Sequence, residues 1–314
     1  MRRLTTRRMN HYFVRRSKFI IMCQLLFANS ASSDEDYKFA RDNPDARSFV
    51  ENLWNYYQDH ADKDFAQKIA ISFHNHFWEM YLACVLKENG NNLLPKKEQK
   101  GPDIAIRDDN FPLIWVEAIA VTSGSGRDKV PTLGDEKWFC VPEERIVLRY
   151  TSAIAEKFTK YNQYRIDGDL AESEPYIIAV NANKVPFSHD DAIPYIVQAV
   201  LPFGSPTVSF EWDDQENSRS GYAHRPQIEK ISGAPVSTRI FLEENYSGIS
   251  GIIFSRVGIH QFRAPFGNDF IFVHNPLAIN KLPEGWLRVG REYRFEDDSL
   301  QYRRWPLLSN NDDV

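Results

Sequence analysis

Two carboxylates interrupt apolar stretches that would otherwise read as strands. In GPDIAIRDDNFPLIWVEAIAVTSG, residues 101–124, Asp103 follows a Gly-Pro turn and Glu117 breaks the apolar run LIWVEAIAV. Alternation along that run puts Leu113, Trp115, Glu117, Ile119 and Val121 on one face of a strand, with Ile114, Val116, Ala118 and Ala120 on the other. Both faces are apolar, which is the pattern of a central strand. A carboxylate buried there needs a metal ion, a cation or several hydrogen-bond donors. Mg²⁺ is one answer: it takes one or two carboxylates, keeps several waters, polarises a phosphoryl oxygen and lowers the pKa of a bound water. That is the chemistry of phosphodiester cleavage, and Asp103 and Glu117 could supply the two ligands. The structural alternative has Asp103 capping the turn after Pro102 and Glu117 paired with a buried arginine. Gly-Pro-Asp is a common turn, so this alternative accounts for Asp103 better than for Glu117.

Other polar residues fall at helical spacing around this pair. In SFHNHFWEMYLACVLKENG one row holds Ser72, His76, Glu79, Ala83 and Lys87, while Phe73, Phe77, Tyr81, Leu82 and Val85 occupy the other sides. The Glu79 row is either a solvent face or the lining of a cleft. In EERIVLRYTSAIAEKFTKYNQYR the stripe Ile146, Tyr150, Ile154, Phe158 and Tyr161 is flanked by Arg149, Ser152, Lys157 and Lys160. That flank is either a solvated basic face or a source of contacts to phosphate, for which Arg149 and Ser152 suit an oxygen ligand. Asn181 and Asn183 in VNANK either position a substrate or close a turn, and His274 with Asn275 in FVHNP reads as structural. His74-Asn75-His76 lies within one helix and is not the dispersed triad of an HNH nuclease. No Gly-rich phosphate loop, nucleophile elbow or metal-binding histidine pair is present, which argues against an ATPase, a serine hydrolase and a zinc protease.

The elements that would carry these residues are legible in outline. Helices are expected over 35–60, Asp64–Glu88, Glu143 to about Arg165 and Asp190–Leu201. Strands are expected at the two acidic segments, in PYIIAVNA, in TVSFEW, and late in GISGIIFSRV and DFIFVHNP. A short aromatic strand is expected inside the 124–142 loop, and residues 213–235 read as polar and turn-rich. This order is that of an α/β protein with a mixed sheet covered by helices. The 314 residues, 42% apolar and 26% charged with a net charge of −5, suit a large globular core and exclude a broadly basic nucleic-acid coat, while leaving room for a local basic cleft. We read residues 35–314 as a single domain. Residues 1–34 form a basic N-terminal extension, either a signal or a disordered segment, because an arginine-rich start precedes a short apolar run, Phe19–Phe27. Cys23, Cys84 and Cys140 are far apart and odd in number, which fits a reducing compartment and a cytoplasmic location, with export as the alternative. No run is long enough to span a bilayer, so no membrane association is expected.

A helical Glu79, Asp103 after Gly101-Pro102, Glu117 in an apolar strand, then a basic helix and another strand: this arrangement resembles the PD-(D/E)xK nuclease superfamily, over about residues 64–185. The resemblance implies a restriction-endonuclease-like mixed sheet flanked by helices. It also implies Mg²⁺, with Mn²⁺ as a substitute, held by Asp103 and Glu117 with Glu79 extending the shell, and a nucleic acid as substrate. A homodimer would serve a double-strand cutter. In that family a lysine two residues after the Glu assists the attacking water, and here Ile119 stands in its place. Some members draw this lysine from a neighbouring helix, which points to Lys157, with Lys160 behind it. The catalytic set so implied is Glu79, Asp103, Glu117 and Lys157; Arg149, Ser152, Lys160 and Asn181 would contact substrate. The alternative that Ile119 favours is a degenerate member that binds nucleic acid or a protein without cutting.

Overall fold

The computed structural model of the chain describes residues 26–27, 32–96, 100–132, 140–188, 192–211 and 214–306. Six α-helices are present among them: α1 (Glu35–Asp42), α2 (Pro44–Tyr57), α3 (Phe65–Ile71), α4 (Phe73–Glu88), α5 (Glu143–Asp167) and α6 (Tyr195–Gln198). The strands are β1 (Asn92–Leu93), β2 (Ile104–Arg107), β3 (Ile114–Thr122), β4 (Tyr176–Lys184), β5 (Phe203–Glu211), β6 (Asp214–His224), β7 (Gln227–Glu229), β8 (Pro235–Ser237), β9 (Ile249–Ser255), β10 (Ile271–His274), β11 (Arg291–Glu296) and β12 (Ser299–Arg304). Eight strands form one sheet in the order β1-β2-β3-β4-β9-β10-β11-β12, and β5-β6 and β7-β8 are separate hairpins. β3, β4 and β9 run parallel at the centre, while β1, β2 and β12 pair antiparallel with their neighbours. The fold is therefore α/β, a mixed sheet flanked by helices, as the element order predicts.

The two faces of β3 divide the core as its alternation requires. Ile114 and Val116 pack with α1–α4 on one side, among Trp78, Phe77 and Tyr57. Trp115 and Val121 pack on the other side with Ile146, Tyr150 and Ile154 of α5. Helix α5 thus crosses the face that bears Glu117. Trp78 is fully buried and its Nε1 donates to the Ala179 carbonyl of β4 at 3.1 Å, which fixes the helix that carries Glu79 against the sheet.

Several elements differ from the sequence reading, each for a local reason. The helix expected over 35–60 is two helices: Asn43 takes an extended backbone before Pro44, and its side chain accepts from the Asp45 and Ala46 amides to start α2. The helix expected from Asp64 is broken at Ser72 (φ −139°), and the Phe73 amide that opens α4 donates to Asp34 Oδ2 at 3.0 Å. Asp34 also caps α1 through Tyr37. Pro194 precedes α6 and leaves only four helical residues of the expected 190–201 helix; residues 189–191 lie outside the described residues. The segment read as turn-rich contains β6 and β7 and ends where β8 begins, and β11 and β12 extend the sheet beyond the expected strands. Leu26 and Phe27, placed by the sequence reading in an N-terminal extension, are buried in the core, where Phe27 meets the Tyr37 ring at 5.1 Å. The short aromatic strand expected inside the 124–142 loop is not among the described residues, and residues 133–139 of that loop lie outside them, as do residues 1–25, with Cys23, and 28–31 of the basic extension.

Replacing Trp78 by Phe keeps most of the buried ring but removes the donor to Ala179. We expect the Trp78→Phe protein to lose about 1–3 kcal/mol of stability in urea denaturation, with the folded secondary structure retained in circular dichroism.

Candidate functional site

The site is a notch in the sheet at the start of β2. Gly101 turns the chain there with φ +115°, a conformation L side chains rarely adopt, and a Cβ there would meet the Asp169 carbonyl and the Trp115 ring. β2 pairs with β3 only from Ile104↔Val116 to Ile106↔Ile114, so continuing the register sets Asp103, in the bend just before β2, opposite Glu117. Past that point no strand among the described residues pairs with β3 on this side, although β4 still pairs with it from Glu117↔Ile178 to Ala120↔Asn181. Ala118, Ile119 and Ala120 are accordingly only half-buried. The Asp103 side chain takes the place of the missing strand, its Oδ2 accepting the Ala118 amide at 2.8 Å.

Glu117 is 1% exposed and is met from α5. Its Oε1 accepts from Lys157 Nζ at 2.7 Å and from Lys160 Nζ at 3.0 Å, and its Oε2 accepts from the Tyr164 hydroxyl at 3.3 Å. Spacings of three and four residues put these three donors on one helical row. Lys157 is 6% exposed, and its backbone carbonyl accepts the Tyr176 hydroxyl of β4 at 3.2 Å, which holds that part of α5 on the sheet. The partners of Glu117 are two lysines and a tyrosine rather than the buried arginine of the structural alternative.

Glu79 approaches from α4, partly buried, and accepts a hydrogen bond from the Tyr57 hydroxyl. Within its row Glu79 and Ala83 are drawn inward while Lys87 at the end is exposed. Burial raises the Glu79 pKa above the usual carboxylate value, Tyr57 and Lys96 oppose that rise, and the Glu117 charge adds to it. Burial also pushes Asp103 up, to about 7, with the negative charges of Glu117 and Glu79 adding to the effect; the Ala118 amide and Lys157 pull the other way. Partial burial works against the charged form of Lys160, but the Glu117 charge and hydrogen bond outweigh it and raise its pKa above the usual lysine value. Three acids thus lie within one another's field, with lysines on one of them and a surplus of negative potential at Asp103.

The remaining expected contacts do not join this cluster. Arg149 lies along Gly124 and its Nε donates to the Thr122 carbonyl at 3.0 Å, so it closes the far end of β3 two helical turns from Lys157. The Ser152 hydroxyl donates back to the Leu148 carbonyl at 2.7 Å, the usual satisfaction of a serine within a helix. Asn181 is fully buried; its amide donates to the Val257 carbonyl at 2.9 Å and its oxygen accepts the Asn183 amide, which makes it a turn-closing residue and not a substrate contact. Lys160, expected behind Lys157, stands beside it on Glu117. His274 Nε2 donates to the buried Glu292 Oε1 at 2.7 Å, in β10 and β11 further along the sheet, as a structural pair. Tyr57, Lys96 and Tyr164 are site residues that the sequence reading missed. Only Tyr164 had a signal there, seven residues after Lys157 on the same row.

Among the described residues no three His, Cys, Asp or Glu side chains are gathered as a metal cage. The donor set still fits a hard cation of the Mg²⁺ class, which needs only one or two carboxylates and completes its shell with water and phosphate. Asp103 supports that fit, since a buried carboxyl pressed by two other acids is what a divalent cation would relieve. No helix among the described residues is long and apolar enough to cross a membrane. No protein-family profile, curated protein or solved structure matches the chain.

Two outcomes follow from this electrostatic arrangement. Asp103 binds its proton more tightly folded than unfolded, so between its ordinary value of 3.8 and about 7 the native state holds the extra proton and stability falls as pH rises. In metal-free buffer Asp103→Asn should flatten the dependence of Tm on pH across that window and be the more stable protein at its upper end. Glu117→Gln should instead cost about 3–5 kcal/mol, because it leaves the buried Lys157 ammonium without its counter-charge. Thermal melts of both variants at several pH values measure the two effects.

Proposed function

We propose that the protein is a divalent-metal-dependent phosphodiesterase acting on nucleic acid, of the PD-(D/E)xK type and the restriction-endonuclease-like fold. The observation that carries this reading is Lys157, whose Nζ comes from α5 to 2.7 Å from Glu117 Oε1. Ile119 leaves the usual lysine position of the motif apolar, and Lys157 delivers an ammonium to the same carboxylate from the neighbouring helix. Support also comes from Asp103 opposite Glu117, from Glu79 in the same electrostatic cluster, and from the open side of β3, which gives a substrate access to these groups.

Asp103 and Glu117 would hold Mg²⁺, or Mn²⁺ in its place, and the metal would polarise the phosphoryl oxygen and acidify a bound water. Glu79 would accept a hydrogen bond from a water in the outer shell while Tyr57 orients it. Lys157, desolvated beside Glu117, would orient the attacking water and stabilise charge developing on the phosphate. The substrate would approach past the half-buried stretch Ala118–Ala120, with the half-exposed Lys160 beside Glu117.

Cleavage of single- and double-stranded DNA and RNA with Mg²⁺ and Mn²⁺ tests the reading. We expect the parent to cut at least one of these, and Lys157→Ala to lose about 10²-fold or more of that rate while its metal binding in calorimetry is retained and not weakened. Equal activity in the two proteins would remove Lys157 from the mechanism. A second reading, a nuclease fold that binds without cutting, is favoured by the double occupancy of Glu117 Oε1 by Lys157 and Lys160. It would prevail if the parent binds nucleic acid but cuts none of these substrates.

A further inference from the structure

Two ammonium groups share one oxygen of Glu117, and they are held very differently. Lys157 is enclosed between α5 and the sheet, whereas the Lys160 side chain is 49% exposed and 3.0 Å from the same Oε1. A divalent cation on Glu117 would face both positive charges at close range, and like charges at that separation repel strongly away from bulk water. The group with a path to solvent is the one that yields. On the proposed metal-site reading, we infer that Lys160 is an exchangeable guard of Glu117: it fills the carboxylate while the site is empty, leaves when a divalent cation arrives, and then pairs with a phosphate oxygen of the nucleic acid.

The exchange keeps the charge of the site nearly balanced at each stage. Without metal, two lysines offset the clustered carboxylates. With metal, the cation supplies that charge and Lys160 is released on its flexible four-carbon stem to the rim, beside the open edge of β3. A nucleic acid that captures the released ammonium assists metal entry, and metal entry assists nucleic-acid binding by the same factor, because coupling between two ligands is reciprocal. The site would remain closed to free metal ions and open when substrate and metal arrive together.

The test is calorimetric titration of the full chain with Mn²⁺, for the parent, Lys160→Ala and Lys160→Met, with and without a short phosphorothioate oligonucleotide that resists cleavage. Position 160 is at the surface, and circular dichroism melts establish that both variants are folded. Without oligonucleotide we expect both variants to bind Mn²⁺ about tenfold more tightly than the parent. Adding the oligonucleotide should tighten Mn²⁺ binding to the parent and have little effect on the variants. Equal or weaker binding in the variants, or no response of the parent to the oligonucleotide, would overturn the guard while leaving the metal site in place. Absence of Mn²⁺ binding in all three proteins would overturn the guard and the metal-site reading together.

Discussion

A carboxylate at 1% exposure in the middle of a sheet is the constraint around which this fold is arranged. Glu117 cannot remain charged there without donors, and the donors come from a single helix, α5, through Lys157, Lys160 and Tyr164. The helix is long enough, 25 residues, to pack its N-terminal half on the core at Ile146, Tyr150 and Ile154 and still carry a polar row past Glu117. Breaking such an ion pair on one side leaves a buried charge unpaired, at a cost of several kcal/mol, so helix and strand are tied together electrostatically as well as by packing.

The short length of β2 is the second constraint. Because it begins at Ile104, β3 loses its strand partner among the described residues just where Glu117 stands, and Ala118–Ala120 are left half-buried. Asp103 occupies that gap with a side chain in place of a strand. The bond to the Ala118 amide satisfies the backbone, and it brings a second carboxylate to the first. The same geometry therefore explains why the backbone tolerates the opening and why negative charge collects in it. Glu79, fixed from the opposite layer by Trp78 and Tyr57, adds the third acid.

The strands beyond β4 supply support and not chemistry at this site. β9 lies parallel to β4 and buries it, and β10–β12 carry the sheet away from the notch. Asn181, at the end of β4, spends its amide on the Val257 carbonyl, and His274 spends its ring nitrogen on Glu292. Both residue types are common in active sites, and here both are satisfied inside the protein, which separates them from the half-exposed Lys160.

Sequence by itself determined the parts that depend on short-range pattern. The alternation around Glu117 gave the two faces of β3, the apolar stripe of α5 gave its packing side, and the strand and helix order gave an α/β sheet. The acids were visible because charge inside an apolar run is costly wherever the run is buried. Tertiary structure decided what meets those acids. Forty residues separate Glu117 from Lys157, and only the crossing of α5 over β3 brings them to 2.7 Å. It also set Lys160 on the same oxygen, Tyr57 on Glu79, and Arg149 and Ser152 on backbone carbonyls away from the cluster. Spacing along a helix shows which side chains share a row, but the rotation and tilt of that helix against the sheet fix which of them reaches a partner. The breaks at Asn43 and Ser72 were partly written in the chain: Asn-Pro is a cap and helix start, whereas Ser72 yields to an aspartate, Asp34, that lies far from it in sequence.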